Sequence, residues 1–104
     1  MSETTNEETI RLSSRVRYRA VGDDGVLVHL ENGRVLVVNE VGLHIVQALG
    51  QQTMTVAELA ESVVREFEVD AASARADVAV FLDQLRGEHA IDTVGATGDG
   101  PAVG

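Results

Sequence analysis

The sequence predicts an α+β domain, winged helix-turn-helix-like, in which a three-stranded antiparallel sheet is followed by three helices (βββααα). Residues 15–20 alternate between apolar and polar side chains, and two apolar segments follow within residues 26–38, each preceded by a turn motif, as strands and hairpins do. Residues 39–87 instead place apolar side chains at helical spacing behind capping residues. Strands that precede helices, rather than alternate with them, are typical of an α+β domain. The same order also fits a winged helix-turn-helix.

Three strands are predicted within residues 15–38. In the first, three apolar residues alternate with arginines, which is the pattern of a half-buried strand: Val16, Tyr18 and Ala20 alternate with Arg15, Arg17 and Arg19. Residues 22–25 form a turn, and residues 26–30 are apolar apart from His29. The Asn32-Gly33 pair is a strong hairpin signal, so residues 34–38 form the third strand of a meander.

Three helices are predicted behind their caps. Asn39 begins the first, which Gly50 ends as a left-handed cap. Thr55 and Glu58 have the spacing of a capping box at the start of the second. Asp70 begins the third, and Gly87 ends it. We expect Ala90 and Ile91 to fold back onto the core.

The ends of the chain differ in composition from its middle. Residues 1–12 are acidic and show no periodic pattern of apolar residues, which predicts disorder. Residues 93–104 are rich in glycine, which predicts a flexible tail. The folded domain is therefore expected at 13–92. No apolar run approaches the roughly 18 residues of a membrane span. No cysteine is present, and the polar start lacks the pattern of a secretory signal, so we expect a cytoplasmic protein without disulfides.

The charge balance argues against nucleic acid as a partner. The net charge is −9, from 8 arginines and 17 acidic residues, and such a chain repels phosphate backbones. A recognition helix needs basic or amide side chains on its outer face. In and just after the third predicted helix, the basic and amide residues Arg75, Gln84 and Arg86 are balanced by the acidic residues Asp77, Asp83 and Glu88. An acidic winged-helix regulator nevertheless remains the alternative from another class.

No catalytic or metal-binding constellation is evident. His29, His44 and His89 are scattered over different predicted elements, and none has a partner at metal-ligand spacing. No serine lies in a Gly-x-Ser-x-Gly motif. We therefore predict a protein that is not an enzyme and that needs neither cofactor nor metal.

The third predicted strand stands out because it lies at an edge of the sheet. Residues 35–38 are four apolar residues in a row, without the lysine, proline or glutamate that usually protects an edge. The first strand, the opposite edge, is protected by three arginines. An unprotected edge is either covered within the fold or available to a further strand. A further hypothesis is that this edge pairs with the same edge of a second copy of the protein. We expect a monomer or a weak dimer.

Three segments resemble the PqqD-like family. Residues 33–39 with the helix that follows, residues 55–59 (Thr-Val-Ala-Glu-Leu) and residues 76–85 are similar to its motifs in order and spacing. The similarity covers about residues 15–92, nearly the whole expected domain. Proteins of this family are recognition elements for ribosomally made, post-translationally modified peptides, and the resemblance implies three strands and three helices.

The resemblance also implies a ligand and a site. The leader of a precursor peptide would add as a strand beside the third strand, in a groove against the third helix, and would be presented to a modifying enzyme or leader peptidase. By position, the backbone of one strand would pair with the leader, namely Arg34, Val35, Leu36, Val37 and Val38. Four residues would line the helix side, namely Ala74, Asp77, Val78 and Phe81. Val78 and Phe81 can equally be core residues.

Two subfamilies remain open. Asp23-Asp24-Gly25, residues 75–78 and Leu85-Arg86 look most like the stand-alone proteins of lasso-peptide pathways. The alternative is a peptide chaperone of the pyrroloquinoline quinone type. Proteins of that type usually close with a Gly-Trp-like segment, and residues 87–90 (Gly-Glu-His-Ala) depart from it.

Overall fold

The computed structural model describes residues 8–94, and the predicted disorder of residues 1–7 and the tail at 95–104 lie outside this range. Six strands and three helices follow one another along the described residues. They are β1 (Thr9–Leu12), β2 (Val16–Val21), β3 (Asp24–His29), β4 (Val35–Val38), α1 (Glu40–Gln51), β5 (Met54–Thr55), α2 (Val56–Phe67), α3 (Ala71–Gly87) and β6 (Ile91–Val94).

The main sheet consists of β2, β3 and β4 in that order, all antiparallel. Gly33 has φ +71° in the turn between β3 and β4, a backbone conformation that suits glycine. This sheet and the three helices that follow it confirm the predicted α+β class and order. Because β3 is the central strand, β2 and β4 are the two edges of the main sheet.

A second small sheet corrects the predicted domain limits. It has the order β5-β1-β6, with Thr9 opposite Val94 and Leu12 opposite Ile91. Residues 9–12 are therefore a strand, although disorder was predicted for 1–12, and residues 93–94 belong to β6 rather than to the tail. Residues 9–12 are ordered because the Ile10 side chain is fully buried in the core, and this burial stabilises the strand.

The first two helices begin at the predicted caps. The Asn39 side-chain oxygen accepts a hydrogen bond from the Gly42 N–H at 2.9 Å. At α2, the Glu58 N–H donates to Thr55 Oγ1 at 3.1 Å and the Thr55 N–H donates to Glu58 Oε1 at 2.9 Å, which completes the capping box. Both predicted caps are thus confirmed, and the one at Asn39 fixes the strand-to-helix junction after β4.

The third helix begins at Asp70, as predicted. The Asp70 carboxylate accepts a hydrogen bond from the Ser73 N–H at 3.2 Å. Hydrogen bonds from Ser73 hold the pKa of this exposed carboxyl below its usual value, because they favour its charged form. The helix runs to Gly87, where the sequence predicted its end.

The end of α1 differs from the prediction. The helix continues through Gly50 to Gln51, and its C-cap Gln52 has an extended backbone rather than a left-handed one. Gly50 is instead a point of close approach, because a Cβ there would lie 3.0 Å from the Tyr18 hydroxyl oxygen. The glycine therefore allows the ring of Tyr18 on β2 to pack against the last turn of α1.

The core lies between the main sheet and the helices. Leu27 of β3, Ile45 of α1 and Leu82 of α3 are among its fully buried side chains. Ala90 and Ile91 are also buried, which confirms that the chain folds back after α3. None of the helices in residues 8–94 has the length and apolar character needed to cross a membrane.

Candidate functional site

A groove of about 550 Å³ runs between strand β4 and helix α3. One wall comes from β4 and the residue after it, and the other from the exposed side of α3. The lining residues are Leu36, Val37, Val38, Asn39, Phe81, Gln84 and Glu88. The groove therefore lies directly beside the edge strand that the sequence marked as unprotected.

A smaller cavity of about 250 Å³ continues the groove along α3 towards α1. It shares Asn39, Phe81 and Gln84 with the groove, and adds Asp77 and Val80 from the preceding turn of α3. Val80 is 61% exposed, and Asp77 is exposed. This end thus offers apolar surface next to a solvated carboxylate.

The hydrogen-bonding pattern of β4 can be read from its register. The His29 N–H donates to the Arg34 carbonyl at 2.9 Å, which fixes which residues face β3. In an antiparallel pair such residues alternate, so Leu36 and Val38 also direct their backbone groups towards β3. Val35 and Val37 consequently direct their N–H and C=O groups away from the sheet, along its open edge.

The predicted strand residues therefore divide into two sets. Val35 and Val37 offer free backbone groups, whereas those of Leu36 and Val38 belong to the β3 ladder. Arg34 corrects the prediction most clearly, because its carbonyl accepts from His29 and its N–H donates to Asn32 Oδ1 at 2.9 Å. Leu36 lines the groove with its side chain, whereas Arg34 is linked to the groove only through its ion pair with Glu88.

The predicted helix residues also divide. Ala74 and Val78 are fully buried in the core. Ala74 therefore does not line the groove as expected, and Val78 takes the core role, which the sequence had left open beside the groove role. Phe81 is half-buried and borders both the groove and the smaller cavity, and Asp77 lies at the cavity. The register of α3 explains the difference, because residues 74, 78, 82 and 85 form its buried stripe.

Three groove residues were missed in the sequence analysis, namely Asn39, Gln84 and Glu88. The signal for the last two is their helical spacing from Asp77 and Phe81, since 77, 81, 84 and 88 follow one side of a helix at intervals of three and four. Asn39 was assigned only as a cap. Its position between β4 and α1 also makes it part of the groove wall.

Gly42 determines where the Phe81 ring lies. A Cβ at residue 42 would be 2.9 Å from the Val38 Cβ and 3.0 Å from the Phe81 Cζ. Contacts this short require the neighbouring groups to move. The missing side chain therefore lets the aromatic ring sit against the backbone of α1, where it forms part of the groove rather than filling it.

At one end of the groove, an ion pair links the residue before β4 to the residue after α3. The Arg34 Nη2 lies 2.8 Å from the Glu88 Oε2, and the Arg34 side chain is 60% exposed. An ion pair this exposed contributes at most about 1 kcal/mol. Its main effect is therefore to position the two walls rather than to stabilise the fold.

A buried histidine strengthens the same end. His29 Nδ1 accepts from the Glu31 N–H at 3.3 Å, so Nε2 carries the proton and donates to the His89 carbonyl at 3.1 Å. The ring is 4% exposed, so loss of either bond would leave a buried polar group unpaired, at a cost of about 1–3 kcal/mol. His29 is thus a structural link between β3 and the end of α3.

Residues 8–94 contain no group of three or more His, Asp or Glu side chains arranged to hold a metal ion. His44 and Ser62 form the one close histidine–serine pair we find in this range, with Nε2 and Oγ 2.7 Å apart. The His44 ring also packs edge-on against Phe67, with ring centroids 5.5 Å apart. These contacts join α1 to α2.

Comparison with known proteins places this arrangement in one family. The model of the coenzyme PQQ synthesis protein D (PqqD) family matches residues 24–91. That range contains β3, β4, all three helices and the whole groove. A comparison with curated proteins finds no match.

Three solved structures have the same fold. TbiB1 in complex with the TbiA(beta) leader peptide is 24% identical, with a TM-score of 0.71, over 86% of this chain and 99% of that chain. Lasso peptide synthetase B1 complexed with the leader peptide is 23% identical, with a TM-score of 0.67, over 80% and 96%. The PqqD truncation of Methylobacterium extorquens PqqCD, described as a stand-alone RiPP recognition element, is 20% identical, with a TM-score of 0.67, over 81% and 88%.

The fold and the groove define a recognition element, a non-catalytic class of module. The chain belongs to the PqqD family. The resemblance noted in its sequence is thereby confirmed, as is the expectation that the protein is not an enzyme.

Proposed function

We propose that this protein captures the leader of a ribosomally synthesised precursor peptide by strand addition at β4 and presents it to a modifying enzyme or leader peptidase. The supporting observation is the coincidence of two features along one strand. Val35 and Val37 leave backbone groups unpaired among the described residues, and a groove of about 550 Å³ lies beside them. Strand addition uses such an edge for affinity and such a groove for specificity.

The alternation of side chains along β4 determines which leader residues would contact the groove. Leader side chains that lie beside Leu36 and Val38 would enter the groove, because those two side chains face inward. Leader side chains beside Val35 and Val37 would point to the opposite side of the sheet. Recognition would therefore depend on alternate leader residues, the inward ones being apolar enough to pack on Phe81.

The charges at the groove favour a basic leader side chain near α3. Asp77 is exposed at the smaller cavity, whereas Glu88 is already paired with Arg34. A lysine or arginine of the leader would thus find its partner at Asp77. As an exposed pair, this contact would contribute specificity more than affinity.

A lasso-peptide pathway is the setting that we favour. Two of the similar structures are described as lasso synthetase B1 or as TbiB1 with a leader peptide, and nearly their entire length is covered. A pyrroloquinoline quinone-type peptide chaperone is the alternative, to which the family description and the third structure point. The segment 87–90 departs from the closing segment of that type, which supports the lasso assignment.

The test is an NMR titration of the nitrogen-15-labelled protein with the leader peptide of a lasso-type precursor. We expect large shifts at residues 35–39 and 77–88, the two walls of the groove. Residues of α2, which the groove does not include, serve as the internal reference. An absence of shifts in both walls at high peptide concentration would contradict the proposal.

A second arm of the same experiment separates the pathways. A leader from a lasso-peptide precursor and a leader from a quinone precursor are titrated in parallel under identical salt conditions. Tighter binding of the lasso leader by roughly tenfold or more would support the assignment. The reverse order would assign the protein to the quinone-type chaperones. Binding of duplex DNA in place of either leader would instead support the winged-helix regulator.

A further inference from the structure

Two primary amides and the Phe81 ring lie where the groove meets the smaller cavity. Asn39, Phe81 and Gln84 line both spaces, and we call this set of three side chains the amide junction. Asn39 reaches it from the turn between β4 and α1, and Gln84 reaches it from α3. The junction therefore combines an aromatic surface with two side chains that can form hydrogen bonds.

The helix cap at Asn39 determines which end of its amide is available. The side-chain oxygen accepts a hydrogen bond from the Gly42 N–H at 2.9 Å, so this oxygen is directed at the first turn of α1. The Nδ2 group has no hydrogen-bond partner among residues 8–94. Because an amide nitrogen can only donate, Asn39 offers the junction a donor whose orientation is fixed by the fold.

The Gln84 side chain supplies the complementary group. It is exposed on α3, and within the described residues its amide makes no hydrogen bond that would fix its orientation. Gln84 can therefore turn its oxygen towards a ligand as an acceptor. A group that accepts from Asn39 and donates to Gln84 would satisfy both side chains at once. A carboxamide carries one such acceptor and one such donor on the same carbon atom.

The charges near the junction distinguish a carboxamide from a carboxylate of the same shape. Asp77 borders the smaller cavity and Glu88 borders the groove, so acidic residues lie on both sides of Gln84 along the chain. A leader carboxylate would be repelled by them, and it has no proton to donate to Gln84. The nitrogen of a neutral carboxamide is a donor, which acidic surroundings favour.

We propose that the amide junction selects a glutamine or asparagine side chain of the bound leader. The inference rests on the proposed strand addition at β4 and adds a specificity determinant to that site. The leader residue concerned is the inward-facing one beside Val38, at the end of β4 that leads to Asn39. Its methylene groups would pack on Phe81, while its carboxamide accepts from Asn39 and donates to Gln84.

The test is a substitution scan of the leader peptide of a lasso-type precursor, measured with the full chain. Each leader residue is replaced in turn by glutamine, glutamate and leucine, and fluorescence anisotropy gives the affinity of every peptide. Glutamate keeps the shape of glutamine without its donor, and leucine has neither a donor nor an acceptor. We expect one inward position at which glutamine binds roughly fivefold or more tightly than both alternatives.

Two variants of the protein should remove this preference while the fold is retained. Asn39→Ser keeps a capping hydroxyl for α1 but lacks the amide nitrogen. Gln84→Met keeps the length and helix propensity of the side chain but lacks both polar atoms. In each variant, the affinities of the glutamine and leucine peptides at the selected position should agree within about twofold. Thermal melts verify that both variants are folded.

Each variant has a matched control outside the groove. The Asn32 side-chain oxygen also accepts from a backbone N–H at 2.9 Å, that of Arg34, so Asn32→Ser makes the same exchange in the hairpin. Gln52→Met removes an exposed amide at the far end of α1. Both controls should keep the preference for glutamine. Its loss in either folded control would overturn the assignment to the amide junction.

The scan also separates this inference from the proposed function. If no leader peptide binds the wild type, the proposed function fails and the inference fails with it. Leader binding without a preference for glutamine at any inward position would overturn the inference alone. A preference that persists in folded Asn39→Ser and Gln84→Met proteins would do the same, because another part of the molecule would then be responsible.

Discussion

The two edges of the main sheet have the same backbone chemistry but different surroundings. At β2, the register and the 2.8 Å bond from the Leu30 N–H to the Arg15 carbonyl direct the backbone groups of Val16, Tyr18 and Ala20 outward. At β4, Val35 and Val37 occupy the equivalent position. Both edges could in principle accept a strand, but their outward backbone groups are not equally free.

The start of the β2 edge is occupied by contacts from its own chain. The Val16 N–H donates to the Ser13 carbonyl at 3.1 Å, and the Val16 carbonyl accepts from Arg17 Nη1 at 3.2 Å. Tyr18 packs against Gly50, and both line a pocket of about 350 Å³ that is smaller than the groove beside β4. Within the described residues, the outward groups of Val35 and Val37 have no comparable partners. The difference teaches that an edge offers more to an added strand when its outward backbone groups have no partner in their own chain.

The largest effect should come from proline at adjacent positions of β4. Val37→Pro removes an N–H from the open edge, so the protein should fold while leader affinity falls by roughly tenfold or more. Leu36→Pro removes an N–H from the β3 ladder and should unfold the sheet. Circular dichroism and fluorescence anisotropy measure the two outcomes. A folded Val37→Pro protein with wild-type affinity would contradict strand addition.

A smaller effect is expected from Gly42→Ala. The added methyl would overlap Val38 and Phe81, so we expect a net destabilisation of about 1–3 kcal/mol and weaker leader binding as the ring moves into the groove. Gly87→Ala is the matched control, because a Cβ there has no atom within 4 Å. Urea unfolding of both variants checks the difference, and equal stabilities would show that Gly42 does not position Phe81.

A still smaller effect is expected from Asp77→Asn. If Asp77 pairs with a basic leader side chain, the exposed contact contributes about 0.2–1 kcal/mol, so affinity should fall by no more than about fivefold. The loss should shrink at high salt, because exposed charges are screened. Asp83→Asn is the control on the same helix, since Asp83 is paired with Arg86 at 3.1 Å. Equal losses in both variants would point to overall charge instead.

The smallest effect on leader affinity is expected from a proline in β2, the opposite edge of the main sheet. Ala20→Pro removes an N–H that faces outward from β2, as Val37→Pro does at β4, so the protein should fold and bind leader with unchanged affinity. Isothermal titration checks this prediction. A loss of leader binding in a folded Ala20→Pro protein would show that the β2 edge takes part as well.

The main sheet and the helices could be predicted because their signals are local. The capping box of Thr55 and Glu58, the cap at Asn39 and the alternation of Val16, Tyr18 and Ala20 each lie within a few residues. The small sheet could not, because β1 pairs with β5 and β6, more than 40 residues away in each case. Nothing near Ile10 indicates that distant partner.

The candidate site could be predicted only in part for a similar reason. The edge strand was evident from four consecutive apolar residues, but the division into inward and outward backbone groups depends on the register with β3. On α3, an apolar residue is buried or lines the groove according to its angle about the helix axis. Val78 and Phe81 differ in this way although both are apolar.

The pairing of β1 with β6 has a consequence for engineering. Thr9 lies opposite Val94, so the two ends of the described domain are neighbouring strand ends. Domains whose termini lie close together tolerate circular permutation and insertion into other proteins. A short linker between these ends, with a new opening in the Gly22-Asp23 turn, should therefore preserve the β4 groove. The same geometry means that a reporter joined to either end would begin at nearly the same point in space.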